Sequence, residues 1–290
     1  MKPAPFTYHN PGSLDELVAI MGSVEDVKVL AGGQSLVPML NMRYAQPEHI
    51  VDLNKITDLS GIEDKGDAVA IGSMTRQSAL MKSDVIAAKL PIMIDALQWV
   101  GHFQTRARGT IGGSLCHLDP SAELPSICLL YEANLTIHGP EGKRQISMTE
   151  WPLAYMMPNL EEKEVLVKIE IPVWSGDYGY GFQEYARRHG DFAIVAAGAL
   201  LRLDNNIVQD VAIVLAGAQQ VPYRLSDAES YLVGKPLDAE NLSHVSGIAQ
   251  EQEAMSDAYI ESDYRKRLAG VMTRRALEAA AERAGGATPS

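Results

Sequence analysis

The sequence predicts an α+β fold in which strands and helices are largely grouped in separate stretches of the chain. Residues 27–53 have the strand, helix, strand order of a small β-α-β unit. In residues 165–171 every second side chain is a β-branched apolar residue, which is the period of a strand with one buried face. Residues 180–216 then carry three strand-like segments, and residues 226–283 carry three helix-like segments.

The first segment is predicted to contain a parallel pair of strands. Ser13 is a candidate N-cap for a short helix whose apolar residues share one face. A strand at residues 27–30, a glycine turn at 31–34 and a helix start at 35–42 lead to a second strand at 49–53. A strand, helix, strand unit of this kind pairs its strands in parallel.

The second segment is predicted to be mixed. Thr75 is a candidate N-cap for a helix over residues 76–82, and a longer helix follows over 85–100. Pro91 lies inside the longer helix and should bend it or split it in two. Further predicted elements are short strands near residue 62 and at 68–71, a helix at 121–131 and strands at 134–138, 144–147 and 165–171.

The third segment begins after a break at residues 172–177. Its predicted strands cover 180–187, 192–203 and 207–216, and its helices cover 226–232, 238–254 and 262–283. The trio Asp204-Asn205-Asn206 is typical of a turn between antiparallel strands. We therefore expect one domain over residues 1–176, with subdomains of about 1–60 and 61–176, and a C-terminal domain over 177–290.

Composition excludes several classes of protein. The chain has 290 residues, 37 acidic and 25 basic side chains, a formal charge of -12 and a pI near 5.0, which disfavours a nucleic-acid surface. Its 2 cysteines rule out a disulfide scaffold or a four-cysteine iron–sulfur cluster within this chain. Cys116 and Cys128 are interpreted as buried thiols in preference to a metal site. Residues 192–201 are too short to span a membrane, and a cytoplasmic location is expected.

The most informative motifs are two double-glycine turns, Ala31-Gly32-Gly33-Gln34-Ser35 and Thr110-Ile111-Gly112-Gly113-Ser114. Glycine permits a positive φ and a close backbone approach, so that successive N–H groups can converge on a phosphate oxygen. Ser35 and Ser114 add hydroxyl donors, and the first turn leads into a helix N-terminus. Two such turns could clamp one pyrophosphate; the alternative is a pair of ordinary tight turns. Neither Gly-x-Gly-x-x-Gly nor a P-loop occurs.

The glycine motifs belong to a longer pattern. It comprises residues 31–38 (AGGQSLVP), 100–104 (VGHFQ), 108–115 (RGTIGGSL), 119–125 (DPSAELP), 187–193 (RRHGDFA), 264–265 (YR) and 274–278 (RRALE). This pattern resembles the FAD-binding medium subunit of the molybdenum hydroxylases, the family of xanthine dehydrogenase and carbon monoxide dehydrogenase. The resemblance covers nearly the whole chain. It implies a two-part FAD-binding domain of the vanillyl-alcohol-oxidase-like type, followed by a C-terminal domain with a three-stranded antiparallel sheet and a helix bundle.

The resemblance also implies a set of FAD-binding residues. They are Val29, Leu30, Ala31, Gly32, Gly33, Gln34, Ser35 and Leu36 in the first cradle, Thr110, Ile111, Gly112, Gly113 and Ser114 in the second, and Val100, Gly101, Glu123, Leu166, Gln183 and Phe192 elsewhere. Gln183 stands where relatives can place a lysine near the flavin, which leaves its role open. By periodicity alone, Val100 and Leu166 are core residues and Phe192 is an ordinary strand aromatic, although a flat ring also suits stacking on a flavin.

The function implied by this resemblance is electron transfer. FAD in this chain would receive electrons from [2Fe-2S] clusters of a small subunit, while substrate oxidation would occur at molybdopterin in a large subunit. A dimer of heterotrimers is the expected assembly. No catalytic side chain is predicted, because no nucleophile and base can be placed together. No metal site is predicted either. The alternatives are a stand-alone FAD-dependent oxidoreductase on the same fold and a scaffold protein that has lost its cofactor.

Overall fold

The N-terminal part is a parallel three-stranded sheet flanked by helices. The computed structural model describes residues 1–285 of the chain. The elements of this part are β1 (Thr7–His9), α1 (Leu14–Ser23), β2 (Val27–Leu30), α2 (Leu36–Asn41) and β3 (His49–Asp52). The strand order is β1-β3-β2 with both pairings parallel, which confirms the predicted β-α-β unit. Ser13 is the N-cap of α1, and its Oγ accepts a hydrogen bond from the backbone N–H of Glu16 at 3.2 Å.

The middle part is a five-stranded antiparallel sheet covered by helices. After a 3-10 turn (Thr57–Leu59) its elements are β4 (Ile62–Asp64), β5 (Ala68–Gly72), α3 (Gln77–Leu80), α4 (Asp84–Lys89), α5 (Pro91–Leu97), α6 (Phe103–Arg108), α7 (Ile111–His117), α8 (Glu123–Leu130), β6 (Asn134–Gly139), β7 (Gly142–Ser147), β8 (Pro152–Ala154), β9 (Met157–Pro158) and β10 (Val165–Pro172). The sheet order is β4-β5-β10-β6-β7, while β8 and β9 form a separate pair.

Two helix predictions in this part have different outcomes. Pro91 splits the predicted long helix into α4 and α5, as expected. The prediction of Thr75 as an N-cap is wrong, because α3 begins after Arg76. The Thr75 hydroxyl instead lies 3.0 Å from both the backbone nitrogen and the carbonyl oxygen of Gly61, and so joins the segment after β5 to the residue before β4.

The C-terminal part is an antiparallel sheet packed on helices. Its elements are β11 (Gly179–Tyr185), β12 (Val195–Asp204), β13 (Ile207–Ala216), β14 (Tyr223–Arg224), α9 (Ser226–Leu232), α10 (Ala239–Glu251) and α11 (Ser262–Arg283). The sheet has 4 strands instead of the predicted three, because the short β14 adds to the edge of β13. Strand β12 starts at Val195, so Phe192 lies in the preceding loop and the prediction of a strand aromatic there is wrong.

Three hydrophobic clusters hold these parts together. The largest joins the five-stranded sheet and helices α5 and α8 to side chains of β11, β12 and β13, including Phe182 and Ala196. A second lies between the C-terminal sheet and α9–α11, and a third packs α1 and β3 against Val165 and Val167 of β10. The main core therefore continues across the expected boundary at residues 176 and 177. Within residues 1–285, every helix is too short or too polar to cross a bilayer.

Candidate cofactor site

The first glycine motif forms an open loop between β2 and α2. Gly33 has φ +74°, a backbone conformation that residues other than glycine rarely adopt. The six backbone N–H groups of residues 31–36 donate to no acceptor within residues 1–285, and Ser35 makes no capping bond. Successive unpaired N–H groups at a helix N-terminus are the donors that an anionic oxygen requires. The loop therefore presents a row of free N–H donors of the kind that an anion-binding turn needs.

The second glycine motif is not a loop. It forms the N-cap and the first helical turn of α7. Thr110 is the N-cap, and its Oγ1 accepts from the N–H of Gly113 at 3.0 Å. The N–H groups of Ile111 and Gly112 donate to Thr75 and Ser73 carbonyls at 3.1 and 2.8 Å, and that of Ser114 donates to Thr110 at 3.1 Å. The expectation that both motifs offer free N–H donors is thus wrong for the second, because neighbouring carbonyls and the cap already accept from them.

The two motifs nevertheless lie against each other. A Cβ on Gly32 would stand 2.3 Å from the carbonyl oxygen of Arg108, and one on Gly113 would stand 3.5 Å from the Cβ of Ala31. A Cβ on Gly112 would stand 2.6 Å from the carbonyl oxygen of Ser73. Glycine at these positions allows the first loop to rest on the α6–α7 connection, and allows α7 to rest on the end of β5.

A polar clasp, which we define as Asn54 with Arg76, fixes the first loop in place. The Asn54 Nδ2 donates to the carbonyl oxygen of Ala31 at 3.0 Å and also to Asp52. The Arg76 guanidinium donates to the Asn54 Oδ1 and to the carbonyl oxygen of Arg108. Burial, together with the nearby Arg108, lowers the pKa of Arg76. This clasp could not be predicted from the sequence, because its members lie far apart along the chain.

A second arginine shapes the turn at Val100 and Gly101. Arg106 Nη1 donates to the carbonyl oxygens of these residues at 2.7 and 3.1 Å, and Gly101 has φ +44°. This turn contacts the loop that carries Phe192: a Cβ on Gly190 would stand 3.1 Å from the Gly101 carbonyl oxygen. Phe192 is 68% exposed, so one face of its ring is open to a bound group.

Two carboxyl groups, one on α8 and one on β11, are buried. Glu123 is the first residue of α8 and is 8% exposed; burial raises its pKa to about 7. Glu184 on β11 is 7% exposed, and burial together with the Glu123 charge raises its pKa to about 9. Neither carboxyl oxygen of Glu184 has a hydrogen-bond partner within residues 1–285. Glu184 is absent from the residues predicted from sequence, although its position two residues after the buried Phe182 places it on the inward face of the strand.

The remaining candidate residues occupy different environments. Leu166 is fully buried in the main core on β10, which packs against α7. Gln183 is half-buried on the opposite face of β11 from Glu184. Burial raises the pKa of both Cys116 and Cys128 thiols to about 12, which keeps them protonated and unreactive. The structure therefore gathers the two glycine motifs, Val100, Gly101 and Glu123 around α6 and α7.

Both parts of the chain match known protein families. Residues 4–174 match the family described as "FAD binding domain in molybdopterin dehydrogenase", and residues 180–280 match the "CO dehydrogenase flavoprotein C-terminal domain". The carbon monoxide dehydrogenase medium chain of Hydrogenophaga pseudoflava is 36% identical over 97% of this chain and 98% of its own. That of Afipia carboxidovorans is 37% identical over 98% of this chain and 99% of its own.

A solved structure extends the similarity to three dimensions. Quinoline 2-oxidoreductase from Pseudomonas putida 86 contains a chain that superposes with a TM-score of 0.94 at 33% identity, covering 98% of this chain and 99% of that one. The similarity thus holds in sequence and in fold over both parts. The chain belongs to the family of FAD-binding medium subunits of the molybdopterin dehydrogenases.

Proposed function

We propose that this chain is the FAD-carrying, electron-transferring subunit of a multi-subunit molybdenum hydroxylase, with the pyrophosphate held by the loop of residues 31–36. The observation that carries this proposal is the row of six unpaired N–H groups in a member of an FAD-binding family. These donors suit a pyrophosphate because they supply hydrogen bonds from the backbone. The site therefore does not need a basic surface, which the net charge of -12 disfavours. The residues present therefore fit FAD.

The proposed FAD site combines the loop with residues from several other helices, strands and loops. Val29 and Leu30 lead into the loop, and the second motif supports it through the contact between Ala31 and Gly113. Val100, Gly101, Glu123, Leu166, Gln183 and Phe192 complete the proposed set. The exposed ring of Phe192 is suited to stacking on the flavin, and Gln183 stands where relatives can place a lysine.

Each group of residues has a separate task in this proposal. When bound, FAD supplies reversible electron acceptance at its flavin ring. The N–H groups of residues 31–36 hold the phosphates, and the Asn54–Arg76 clasp keeps the loop on the α6–α7 connection. Arg106 fixes the Val100–Gly101 turn. No side chain is required as a nucleophile, since this chain would position and insulate the cofactor.

The proposed partner subunits would supply the redox centres that this chain cannot hold. Its 2 cysteines cannot hold the iron–sulfur relay, so an iron–sulfur small subunit and a molybdopterin large subunit would supply the remaining centres. We propose a dimer of heterotrimers in the cytoplasm. The family matches over 4–174 and 180–280 support a domain boundary near residues 176 and 177.

Purification from the native source tests this function. The expected product is a complex containing stoichiometric FAD in this chain, iron–sulfur clusters in a smaller chain and molybdopterin in a larger one. A flavin-containing chain that runs alone, with full turnover and no molybdenum, would favour the stand-alone oxidoreductase and overturn the multi-subunit assignment. A complex without flavin would favour the scaffold alternative.

A further inference from the structure

Arg265 is a buried cation that the proposed function leaves unexplained. It belongs to the sequence motif at residues 264–265, and it is the fourth residue of α11 with 4% of its surface exposed. A positive charge near the start of a helix is disfavoured by the helix dipole, and burial adds the cost of removing water from the guanidinium. An arginine at this position therefore needs strong partners elsewhere in the fold.

The partners of Arg265 come from three loops that are far apart in the sequence. Its Nη1 donates to the carbonyl oxygens of Ile194 and Gly217 at 2.7 and 2.6 Å, and its Nη2 donates to Asp257 Oδ2. The other carboxylate oxygen of Asp257 accepts from the backbone N–H groups of residues 259–260 at 2.7 and 2.9 Å. One guanidinium thus fixes three loops through charge-assisted hydrogen bonds.

The first of these loops is the Phe192 loop, which we define as residues 186–194 between β11 and β12. The N–H of Ile194 donates to the carbonyl oxygen of Tyr185 at 2.8 Å, which closes the base of the loop. The carbonyl oxygen of Ile194 accepts from Arg265 at the same point. The contact with Arg265 therefore lies two residues from the exposed Phe192 ring.

The second loop joins this point to the FAD-binding domain. The N–H of Gly217 donates to the carbonyl oxygen of Pro120 at 2.7 Å, and Pro120 lies in the α7–α8 connection. Gly217 has φ +75°, and a Cβ on it would stand 2.7 Å from the carbonyl oxygen of Ile194. Glycine here allows the two carbonyl oxygens to meet at one guanidinium, which is thereby linked to the segment that follows the second glycine motif.

The third loop supports the Phe192 loop from below its arginines. Tyr259 follows Asp257, and the centre of its ring lies 5.3 Å from the guanidinium carbon of Arg187, a cation–π contact. Farther along the Phe192 loop, the ring centres of His189 and Trp99 are 5.4 Å apart. The ion pair that holds the base of the loop thus also holds the tyrosine against which the loop packs.

We propose that Arg265, paired with Asp257, is a positioning residue that sets where the Phe192 loop presents its ring at the FAD site. The proposal rests on the proposed function, because it takes Phe192 as the residue that stacks on the flavin. Arg265 acts through the loop and not by contact with the cofactor. Loosening the ion pair should therefore change the surroundings of the flavin while the phosphates stay bound at residues 31–36.

Trypsin digestion of the apo-chain tests the loop contact without FAD. Arg187 and Arg188 are exposed in the Phe192 loop and provide the cleavage sites. Arg265→Lys keeps the charge but loses the planar fork, so cleavage at these two sites should be about tenfold faster than in the wild type, as expected for lost hydrogen bonds to a charged group. The matched control is Arg274→Lys, at an exposed arginine of the same helix paired with Glu278 at 2.7 Å, and it should be cleaved like the wild type.

Cleavage at Lys168 separates the loop from general unfolding. Lys168 lies on β10, the central strand of the five-stranded sheet, so trypsin reaches it only when that sheet opens. In Arg265→Lys the rate at Lys168 should change much less than the rate in the Phe192 loop. Equal acceleration at both places, or no acceleration in the loop, would overturn the proposal.

The FAD-loaded chain tests the effect on the flavin. Phe192→Ala should shift the visible absorption bands of bound FAD, because the flavin loses its aromatic neighbour. Arg265→Lys should shift them in the same direction, and the double variant should shift them no further than Phe192→Ala alone, because both changes act through one ring. Additive shifts, or an unchanged spectrum in Arg265→Lys, would overturn the proposal.

Asp257→Asn keeps the test available if Arg265→Lys does not fold. The amide retains an oxygen for the N–H groups of residues 259–260 but loses the carboxylate that faces the guanidinium. Cleavage in the Phe192 loop should again accelerate more than cleavage at Lys168, and equal rates would overturn the proposal. Failure of the wild type to bind FAD would refute the proposed function alone, since digestion of the apo-chain still reports on the loop contact.

Discussion

The two glycine motifs share a double glycine with a serine within the next two residues, but they differ in structure. In the first, the N–H groups of residues 31–36 have no acceptor within residues 1–285, and the chain takes a positive φ at Gly33. In the second, the N–H groups of residues 111–114 all have acceptors, supplied by Ser73, Thr75 and Thr110. We therefore propose that the first loop binds the cofactor and that the second motif supports that loop.

The difference shows that a double glycine can be required for two separate reasons. Gly33 provides a backbone conformation, whereas Gly112 provides space for α7 to lie on the backbone of Ser73. Substitutions in the first motif should therefore change FAD affinity more than stability. Substitutions in the second should do the reverse.

The largest expected effect is on FAD affinity in Gly33→Val. Valine at φ +74° is strained, and its Cβ would approach Val37 at 3.0 Å and Leu30 at 3.3 Å, so the loop must change shape. We expect a loss of affinity of about 100-fold, from a strain of roughly 3 kcal/mol that distorts the donor row. Isothermal titration of the apo-chain with FAD measures it.

A matched control separates loop strain from a general effect of valine. Gly66 also has a positive φ, +90°, with nothing within 4 Å of its Cβ position, and it lies in the β4–β5 turn. Gly66→Val should lower stability without changing FAD affinity. Equal losses of affinity in Gly33→Val and Gly66→Val would contradict a special role for the first loop.

The next effect concerns the stability of the second motif. In Gly112→Ala the new Cβ would lie 2.6 Å from both the carbonyl oxygen and the Cβ of Ser73, so α7 must move away from β5. We expect the free energy of unfolding to fall by about 2 kcal/mol, as in other overpacked cores. Urea denaturation of the apo-chain measures this change; an unchanged midpoint would show that the two elements are free to separate.

A smaller effect is expected when the clasp is loosened in Arg76→Lys. Lysine keeps the positive charge but loses the planar fork that reaches both Asn54 and the Arg108 carbonyl. FAD affinity should fall about fivefold, equivalent to roughly 1 kcal/mol for the lost hydrogen bond. Arg43→Lys, at an exposed arginine that contacts the Lys2 carbonyl, is the control. Identical FAD affinities for Arg76→Lys and the wild type would show that the clasp does not contribute to FAD binding.

The smallest effect is expected from Thr110→Val. This change removes the Oγ1 acceptor of the Gly113 N–H and should lower the free energy of unfolding by about 1 kcal/mol, the usual contribution of an N-cap. FAD affinity should stay within about twofold of the wild type, since the first loop is untouched. A large loss of FAD affinity at unchanged stability would instead assign the phosphate contacts to the second motif.

Much of the fold could be predicted because its signals are local. Alternation and turn chemistry placed β13 at its observed bounds, and Pro91 marked the break between α4 and α5. Strands β1 and β14 were missed because they are 3 and 2 residues long and are stabilised by pairing with distant strands. The site was harder to predict. A glycine motif signals close approach, but whether its N–H groups remain free depends on Ser73 and Thr75, which are distant in sequence.

Amide hydrogen exchange with and without FAD would show which backbone N–H groups the cofactor contacts. We expect residues 31–36 to exchange rapidly in the apo-chain and to become strongly protected when FAD binds. Residues 111–114, whose N–H groups are already bonded, should be protected in both states. Protection gained at residues 111–114, with none gained at 31–36, would contradict the assignment of the first loop as the pyrophosphate cradle.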